Sequence, residues 1–315
     1  MTSSAGSNNG IVCRCYYRET HMPTSWHILG AGAIGCLFAD ALTAQGITTT
    51  LVLRDCAASA PLLTLERDGK TYNRQLASTP ASAADQISRL LVTTKAYDVV
   101  SAIGSVRHRL ALGADVVLLV NGLGYADQVA QIAPDITLYS ATTTEGVFRR
   151  GPWDFCHAGQ GVTLVGAMTA SAPADWFTPW QNLGLKCRWT ESIEPALWHK
   201  LAINCAINPL TAIHRCQNGA LATRPELAAQ VRQLCSEIAR VSAAAGFEST
   251  ANNIEHDAFT VIENTAENRS SMLQDTLADR PTEIDFITGH LVARADQLGV
   301  AAPLNSKLLE QIRHA

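Results

Sequence analysis

No run of about 18 uninterrupted apolar residues occurs in this chain, and no tract of clustered lysine and arginine stands out. The first absence leaves no membrane-spanning helix to expect. The second leaves no electrostatic footprint for nucleic acid. Charge is sparse altogether: 17% of the 315 residues are charged against 47% hydrophobic, a balance that excludes an intrinsically disordered chain. The nine cysteines include no C-x-x-C pair, so no zinc site is expected. Cys36 and Cys205 stand among apolar neighbours, where a thiol acts as a small hydrophobe, and this usage suits a reducing cytoplasm. Residues 1–21 lack the apolar core of a signal peptide, and Met22 stands just before the first apolar run. They are expected to be a tail outside the fold, either disordered or added by an upstream start codon. With a formal net charge of −4, the remainder has the length of one large or two modest domains.

Residues 26–29 (WHIL) lead into Gly30, Ala31, Gly32, Ala33, Ile34 and Gly35; a helical pattern follows to Gly46, then a β-branched run at 47–53. Strand, G-x-G-x-x-G, helix and strand within about 30 residues is the setting in which a glycine loop holds a dinucleotide. Gly30 admits the tight turn, Gly32 the approach of a pyrophosphate, and Gly35 the close seating of helix on strand. The helix N-terminus offers free N–H groups to the phosphates. The plainer alternative is a glycine turn without a ligand. The second strand ends at Arg54, whose guanidinium suits a ribose 2′-phosphate. Asp55 beside it is the carboxylate an NAD site would use, and the sequence favours NADP(H). Further apolar runs at 88–94 and 116–120 end at Lys95 and Asn121. Ligands in open parallel sheets lie at the carboxyl ends of strands, so residues 30–35, Arg54, Lys95 and Asn121 are expected along one crevice. A surface lysine and an Asn-Gly turn would look the same locally. Residues 138–144, 161–165 and 187–190 read as further strands, and 175–183 as a helix.

Near residue 190 the pattern changes to 3.6-residue apolar spacing. The expected fold class is therefore α/β, with an N-terminal Rossmann-type dinucleotide-binding domain (22–190) followed by an all-helical C-terminal domain (191–315). A cleft between two such domains is the default site for a small molecule. The helix expected at 197–210 carries Lys200, Asn204 and Asn208 at four-residue spacing, hence on one face of an otherwise apolar helix. They either line a polar cleft, where a lysine beside neutral amides can act as acid toward a carbonyl, or snorkel to solvent and tie down loops. Pro195 opens this helix and Pro209 is expected to close or kink it. Later helices are read at 220–222, 225–245, 254–263, 271–279 and 282–298, the last with a Thr-Glu-Ile-Asp start. Taken alone, Glu283 reads as a carboxylate complementing a helix dipole, the serines before it as N-caps, and Asn218-Gly219 as a turn.

Taken in order, the glycine loop at 30–35, Thr94-Lys95, Asn121-Gly122-Leu123-Gly124, the block from Lys200 through Asn204 and Asn208, Asn218-Gly219, residues 266–275 (AENRSSMLQD) and Thr282-Glu283 resemble the ketopantoate reductase (2-dehydropantoate 2-reductase) family, over about residues 26–309. The resemblance implies NADPH-dependent reduction of 2-dehydropantoate to pantoate, on the way to pantothenate and coenzyme A. It implies Lys200 and Glu283 as the catalytic residues, Lys200 as general acid and Glu283 also holding substrate and cofactor. Asn121, Asn204, Asn208, Asn218 and Ser271 would face the substrate. Around the cofactor it places Gly30, Ala31, Gly32, Ala33, Ile34, Gly35, Arg54, Lys95, Asn121 and Val147. Family members often carry histidine after the position of Thr144; this chain has Glu145, which bears on the cofactor pocket. The expected partner is a small 2-keto acid and the expected state a monomer or homodimer. Three other readings stay open: a reductase of another branched 2-keto acid, an opine-type dehydrogenase, and a non-catalytic NADP(H)-binding sensor.

Overall fold

The computed structural model describes residues 25–54, 61–168 and 173–314; the expected tail, Asp55, Cys13, Cys15 and Cys56 lie outside them. In the first half β1 (Ser25–Leu29), α1 (Ala33–Ala44) and β2 (Thr48–Leu53) follow one another. Then come β3 (Leu62–Arg67), β4 (Lys70–Gln75), β5 (Ala77–Pro80), β6 (Ile87–Val92), α2 (Val99–Val106) and β7 (Leu110–Leu119). The half is completed by α3 (Ala126–Ile132), β8 (Thr137–Thr143), β9 (Gly146–Gly151), β10 (Asp154–Gly159), β11 (Val162–Ala167), α4 (Phe177–Trp180) and β12 (Lys186–Trp189). One eight-stranded sheet runs in the order β12-β11-β8-β7-β6-β1-β2-β5. Its strands are parallel except where β11 meets β8, so β11 and β12 point the opposite way from the rest.

The sheet is covered on both faces, as parallel sheets require. Side chains alternate between faces. Trp26, Ile28, Leu91, Val117 and Leu119 pack toward α1 and α4, with Phe38, Trp176 and Trp180. Leu29, Leu90, Val92, Val116 and Leu118 pack toward α2 and α3, with Val99, Ile103 and Val129. Trp26 and Trp176 meet edge to face at 5.1 Å. The thiols here and in the helical half act as packing groups, and burial pushes Cys36 and Cys205 up to about 12.

A second, four-stranded sheet in the order β4-β3-β10-β9 was not read from the sequence. Its β3–β4 hairpin turns through Asp68 (φ 51°) and Gly69 (φ 70°), the left-handed pair that an Asp-Gly dipeptide supplies. The helix expected at 175–183 shrinks to α4, because the chain turns off into Gly184 at φ 71°.

The second half is helical: α5 (Glu194–His214), α6 (Ala220–Thr223), α7 (Pro225–Ala244), α8 (Glu248–Asn264), α9 (Ser271–Leu277), α10 (Thr288–Gln297) and α11 (Pro303–Arg313). Its core gathers around α5, whose Trp198, Leu201, Cys205 and Leu210 are buried with Val231, Ile238, Ile254 and Leu291. Pro209 does not close α5, which runs on to His214 and stops at Arg215 with φ 46°. Burial on every side of residues 205–212 outweighs the one backbone bond a proline removes. The helix expected from residue 282 starts at Thr288, after a short 3₁₀ turn at Ile284–Phe286. Two contacts from the first half explain the break: Glu283 is drawn down to the Ala96 N–H, and the Phe286 carbonyl accepts from Leu123 N–H at 2.8 Å. The turn into α5 packs on the reversed strand, where a Cβ on Gly166 would lie 2.8 Å from Ile193 Cβ. No described helix is long and apolar enough to cross a membrane.

Candidate active site

The ends of β1, β2, β6, β7 and β8 are neighbours that point the same way. Together with α5 and the segment before α9 they enclose a cleft of about 1060 Å³, at the upper end for ligand sites. Gly30, Ala31, Gly32, Ala33 and Ile34 form one end of it. Gly30 has φ 115°, and a Cβ there would sit 2.7 Å from the Thr93 carbonyl carbon. A Cβ on Gly32 would meet no protein atom nearer than Thr93 O at 3.9 Å, which leaves open room on the cleft side of the loop. Gly35 is different. It is buried outside the cleft, and a Cβ would fall 2.0 Å from Gly30 O, so it seats the helix rather than touching a cofactor. No side chain caps α1, and its first turn holds no carboxylate, which leaves its N–H groups and positive end for an anion. The Thr94 and Asn218 side chains both border the cleft and carry buried oxygens without a protein partner, Oγ1 and Oδ1, the first beside the glycine loop and the second among the residues expected to face a substrate.

Lys200 enters from α5. Its Nζ donates to Asn121 Oδ1 at 2.8 Å and to the Thr143 carbonyl at 2.7 Å, joining the ends of β7 and β8 to the helix. Burial pushes its pKa down to about 8, against the opposing pull of Glu283. Lys95 is held differently: Nζ donates to Asp275 Oδ2 at 2.6 Å and lies 3.5 Å from Glu283 Oε2. Burial alone would lower it, but Glu283 and Asp275 outweigh burial and hold it above the ordinary lysine value. Glu283 is 4% exposed and accepts from Ala96 N–H at 2.9 Å. The reading of Glu283 as a helix-dipole group is thereby corrected: only a short 3₁₀ turn starts there, which its side chain does not cap, and the residue borders the cleft. Arg54 borders the cleft at the end of β2 and pairs with Asp98 at 3.0 Å.

Asn204, Asn208, Asn218 and Ser271 all border the cleft. Asn218 Nδ2 donates to Thr265 Oγ1 at 2.8 Å, so its amide is oriented as well as exposed to the cleft. The N-cap reading of the serines falls on Ser270, whose Oγ accepts from Leu273 N–H at 3.0 Å; Ser271 stays free of that duty. Val147 borders the cleft. Glu145 also touches it, but its carboxylate is turned away, accepting from Gly161 N–H at 2.9 Å and meeting His157 Nε2 at 2.7 Å.

Three participants escaped the sequence: Asp275, Asp98 and the Thr143 carbonyl. Asp275 lies 180 residues from the lysine it binds, and a backbone carbonyl carries no residue signature. Asp98 had a faint one, an acidic residue three positions after Lys95.

Family models match the chain twice. One described as Ketopantoate reductase PanE/ApbA covers residues 26–170, and one for the C-terminal part covers residues 192–315. The chain belongs to the ketopantoate reductase family. The 2-dehydropantoate 2-reductase of Vibrio cholerae is 36% identical over 291 residues, 91% of this chain and 96% of that protein. That of Archaeoglobus fulgidus is 32% identical with the same coverage of 91% and 96%. Among solved structures, a PanE/ApbA family ketopantoate reductase from Ralstonia eutropha aligns with a TM-score of 0.82 at 26% identity, over 92% of this chain and 97% of that one. A D-mandelate dehydrogenase with NADH and anilino(oxo)acetate aligns with a TM-score of 0.84 at 22% identity and equal coverage of 92% and 97%, a likeness of fold. The chain is accordingly an oxidoreductase of the 2-dehydropantoate 2-reductase type.

Proposed function

We propose that this ketopantoate reductase family member reduces 2-dehydropantoate to pantoate with NADPH, as its relatives are named to do. The observation that carries the reading is the placement of Lys200: an ammonium with neutral acceptors, facing the cleft that the glycine loop opens. In this reading the part up to about residue 190 binds the cofactor and the helical remainder supplies the acid.

Gly30, Gly32 and the start of α1 hold the pyrophosphate, Arg54 the 2′-phosphate, and Asn121, Val147 and the Lys95–Glu283 pair the nicotinamide end. When bound, NADPH supplies the hydride for the keto carbon. Negative charge then develops on the keto oxygen. Lys200 stabilises that charge and delivers the proton, an interaction stronger in the transition state than in the ground state. A proton donor works best with a pKa near operating pH, and burial brings Lys200 to about 8. Asn204, Asn208, Asn218 and Ser271 offer neutral donors to the carboxylate and hydroxyl of the acid, and Glu283 anchors the opposite wall. The fixed Asn121 and Thr143 acceptors keep the ammonium aimed before substrate arrives.

The direct test is NADPH oxidation against a panel of branched 2-keto acids, with and without added amines. Ketopantoate is expected to give the highest kcat/KM, independent of amine. A different keto acid turning over at least tenfold better would reassign the substrate; turnover that requires an amine would indicate an opine-type enzyme. Tight NADPH binding without turnover of any keto acid would indicate a sensor.

A further inference from the structure

Arg54 already has an anionic partner. Its guanidinium Nη2 lies 3.0 Å from Asp98 Oδ2, with side chains 82% and 33% exposed. Asp98 stands at the N-cap of α2, where an aspartate usually turns its oxygen back onto the first helical N–H groups. Here it makes no such bond. The carboxylate reaches instead from the segment after β6 to the end of β2, and both residues border the cleft. The hydroxyls near them add no free donor: Ser101 Oγ donates to the Asp98 carbonyl at 3.0 Å and Ser105 Oγ to the Ala102 carbonyl at 2.7 Å.

Resting on the reading of this cleft as a nicotinamide cofactor site with Arg54 at the ribose, we propose that Asp98 is a specificity-determining residue that narrows the preference for NADPH over NADH. A guanidinium beside a carboxylate presents one donor and one acceptor. A ribose 2′-hydroxyl, which both donates and accepts, satisfies the two without separating them. A 2′-phosphate, acceptor-only in its dianionic form and carrying about −1.5 to −2 charge at neutral pH, binds Arg54 only by competing with Asp98, and it then lies beside a like charge. Arg54 therefore draws the phosphate while Asp98 taxes it.

Calorimetric binding to the intact protein separates these terms, with NADPH, NADH, adenosine 2′,5′-bisphosphate and adenosine 5′-monophosphate as probes. Asp98→Asn is expected to tighten both 2′-phosphate ligands about five- to tenfold at low ionic strength, a gain that shrinks as salt is added. The same variant should leave NADH and the monophosphate unchanged or up to about threefold weaker, the loss of one charge-assisted hydrogen bond. Arg54→Ala should weaken the 2′-phosphate ligands far more than their hydroxyl counterparts. The inference fails if Asp98→Asn alters phosphate and hydroxyl ligands in the same proportion. It also fails if that variant weakens the phosphate ligands as Arg54→Ala does, which would make Asp98 a brace for Arg54. If Arg54→Ala affects both kinds of ligand equally, the 2′-phosphate site lies elsewhere and the cofactor reading falls with the inference.

Discussion

Two lysines face one cleft and their ammonium groups are driven in opposite directions. Lys95 has two carboxylates and is held high, whereas Lys200 donates only to a side-chain amide and a backbone carbonyl, the pull of Glu283 does not offset its burial, and it is brought down to about 8. The difference assigns their chemistry: a lysine locked in an ion pair keeps its proton, and one among neutral acceptors can release it. Lys200→Ala should therefore lower kcat by about 100-fold or more, the usual share of a general acid, while NADPH affinity in direct titration stays within a few-fold. If kcat survives within a few-fold, Lys200 is not the acid. Reduction needs protonated Lys200, so kcat/KM for reduction should fall as pH rises through about 8. Oxidation of the alcohol should rise over the same range. For stability the sign differs. Between about 8 and its ordinary value of 10.5 the lysine binds its proton in the unfolded chain but not in the folded one, so its contribution grows as pH climbs through that window. A pH series of thermal melts on Lys200→Met and the unmodified protein would show it.

At the scale of elements, the short link between β8 and β9, which carries the chain from the eight-stranded sheet to the four-stranded one, is pinned from behind. Glu145 N–H donates to Thr143 Oγ1 at 3.2 Å, Thr163 Oγ1 donates to the same oxygen at 2.8 Å, and the Glu145 carboxylate takes Gly161 N–H and the His157 ring. Gly161 is packed so closely that a Cβ would lie 2.3 Å from the Thr144 carbonyl carbon. The departure at Glu145 thus braces the strand end whose carbonyl holds Lys200. Glu145→Ala is expected to cost about 2–4 kcal/mol by stranding the half-buried Gly161 N–H and a buried imidazole. Glu145→Gln, which can still accept from Gly161, should cost less than half as much in denaturant titrations. Equal losses in the two variants would reject the bracing role. The elements also show what the sequence could convey. The glycine loop, the face of α5 and the ends of β1, β2, β6 and β7 were legible because each is a local pattern. The β3–β4 hairpin carries one local mark, Asp68-Gly69, but β4 has no apolar run to go with it. The break before α10 was not legible, since Glu283 and Phe286 are diverted by residues more than 150 positions away.

At the scale of the whole molecule, the two halves meet through a few directional contacts beside the cleft. Lys95 crosses from the sheet to Asp275 and Glu283, and Leu123 N–H crosses to the Phe286 carbonyl. Glu283 is nearly buried, so removing its cation leaves it poorly compensated. Asp275 keeps Arg280 at 3.0 Å. Lys95→Ala is expected to destabilise the protein by about 1–3 kcal/mol, less than a fully buried pair because Lys95 is partly screened by solvent. It should also broaden the thermal transition as the halves lose cooperativity. A sharp transition with unchanged midpoint would show that the halves are held by packing alone.

The reversal of β11 and β12 acts as a length standard. Gly166 stands opposite Ser140 of β8 and receives Ile193 in the space of its missing side chain. From that mark the helix has seven residues to Lys200, a rise of about 10 Å. From Ser140 the strand has three residues to Thr143, a span of about 10 Å. The two runs are of similar length, and at their far end the Lys200 ammonium donates to the Thr143 carbonyl at 2.7 Å. One alanine inserted between Ile193 and Lys200 would turn the ammonium by about 100° and lift it about 1.5 Å. Because Leu197 and Trp198 are buried on the same helix, such a variant is expected to lose stability as well as activity, with NADPH binding by direct titration reporting whether the first half stays intact.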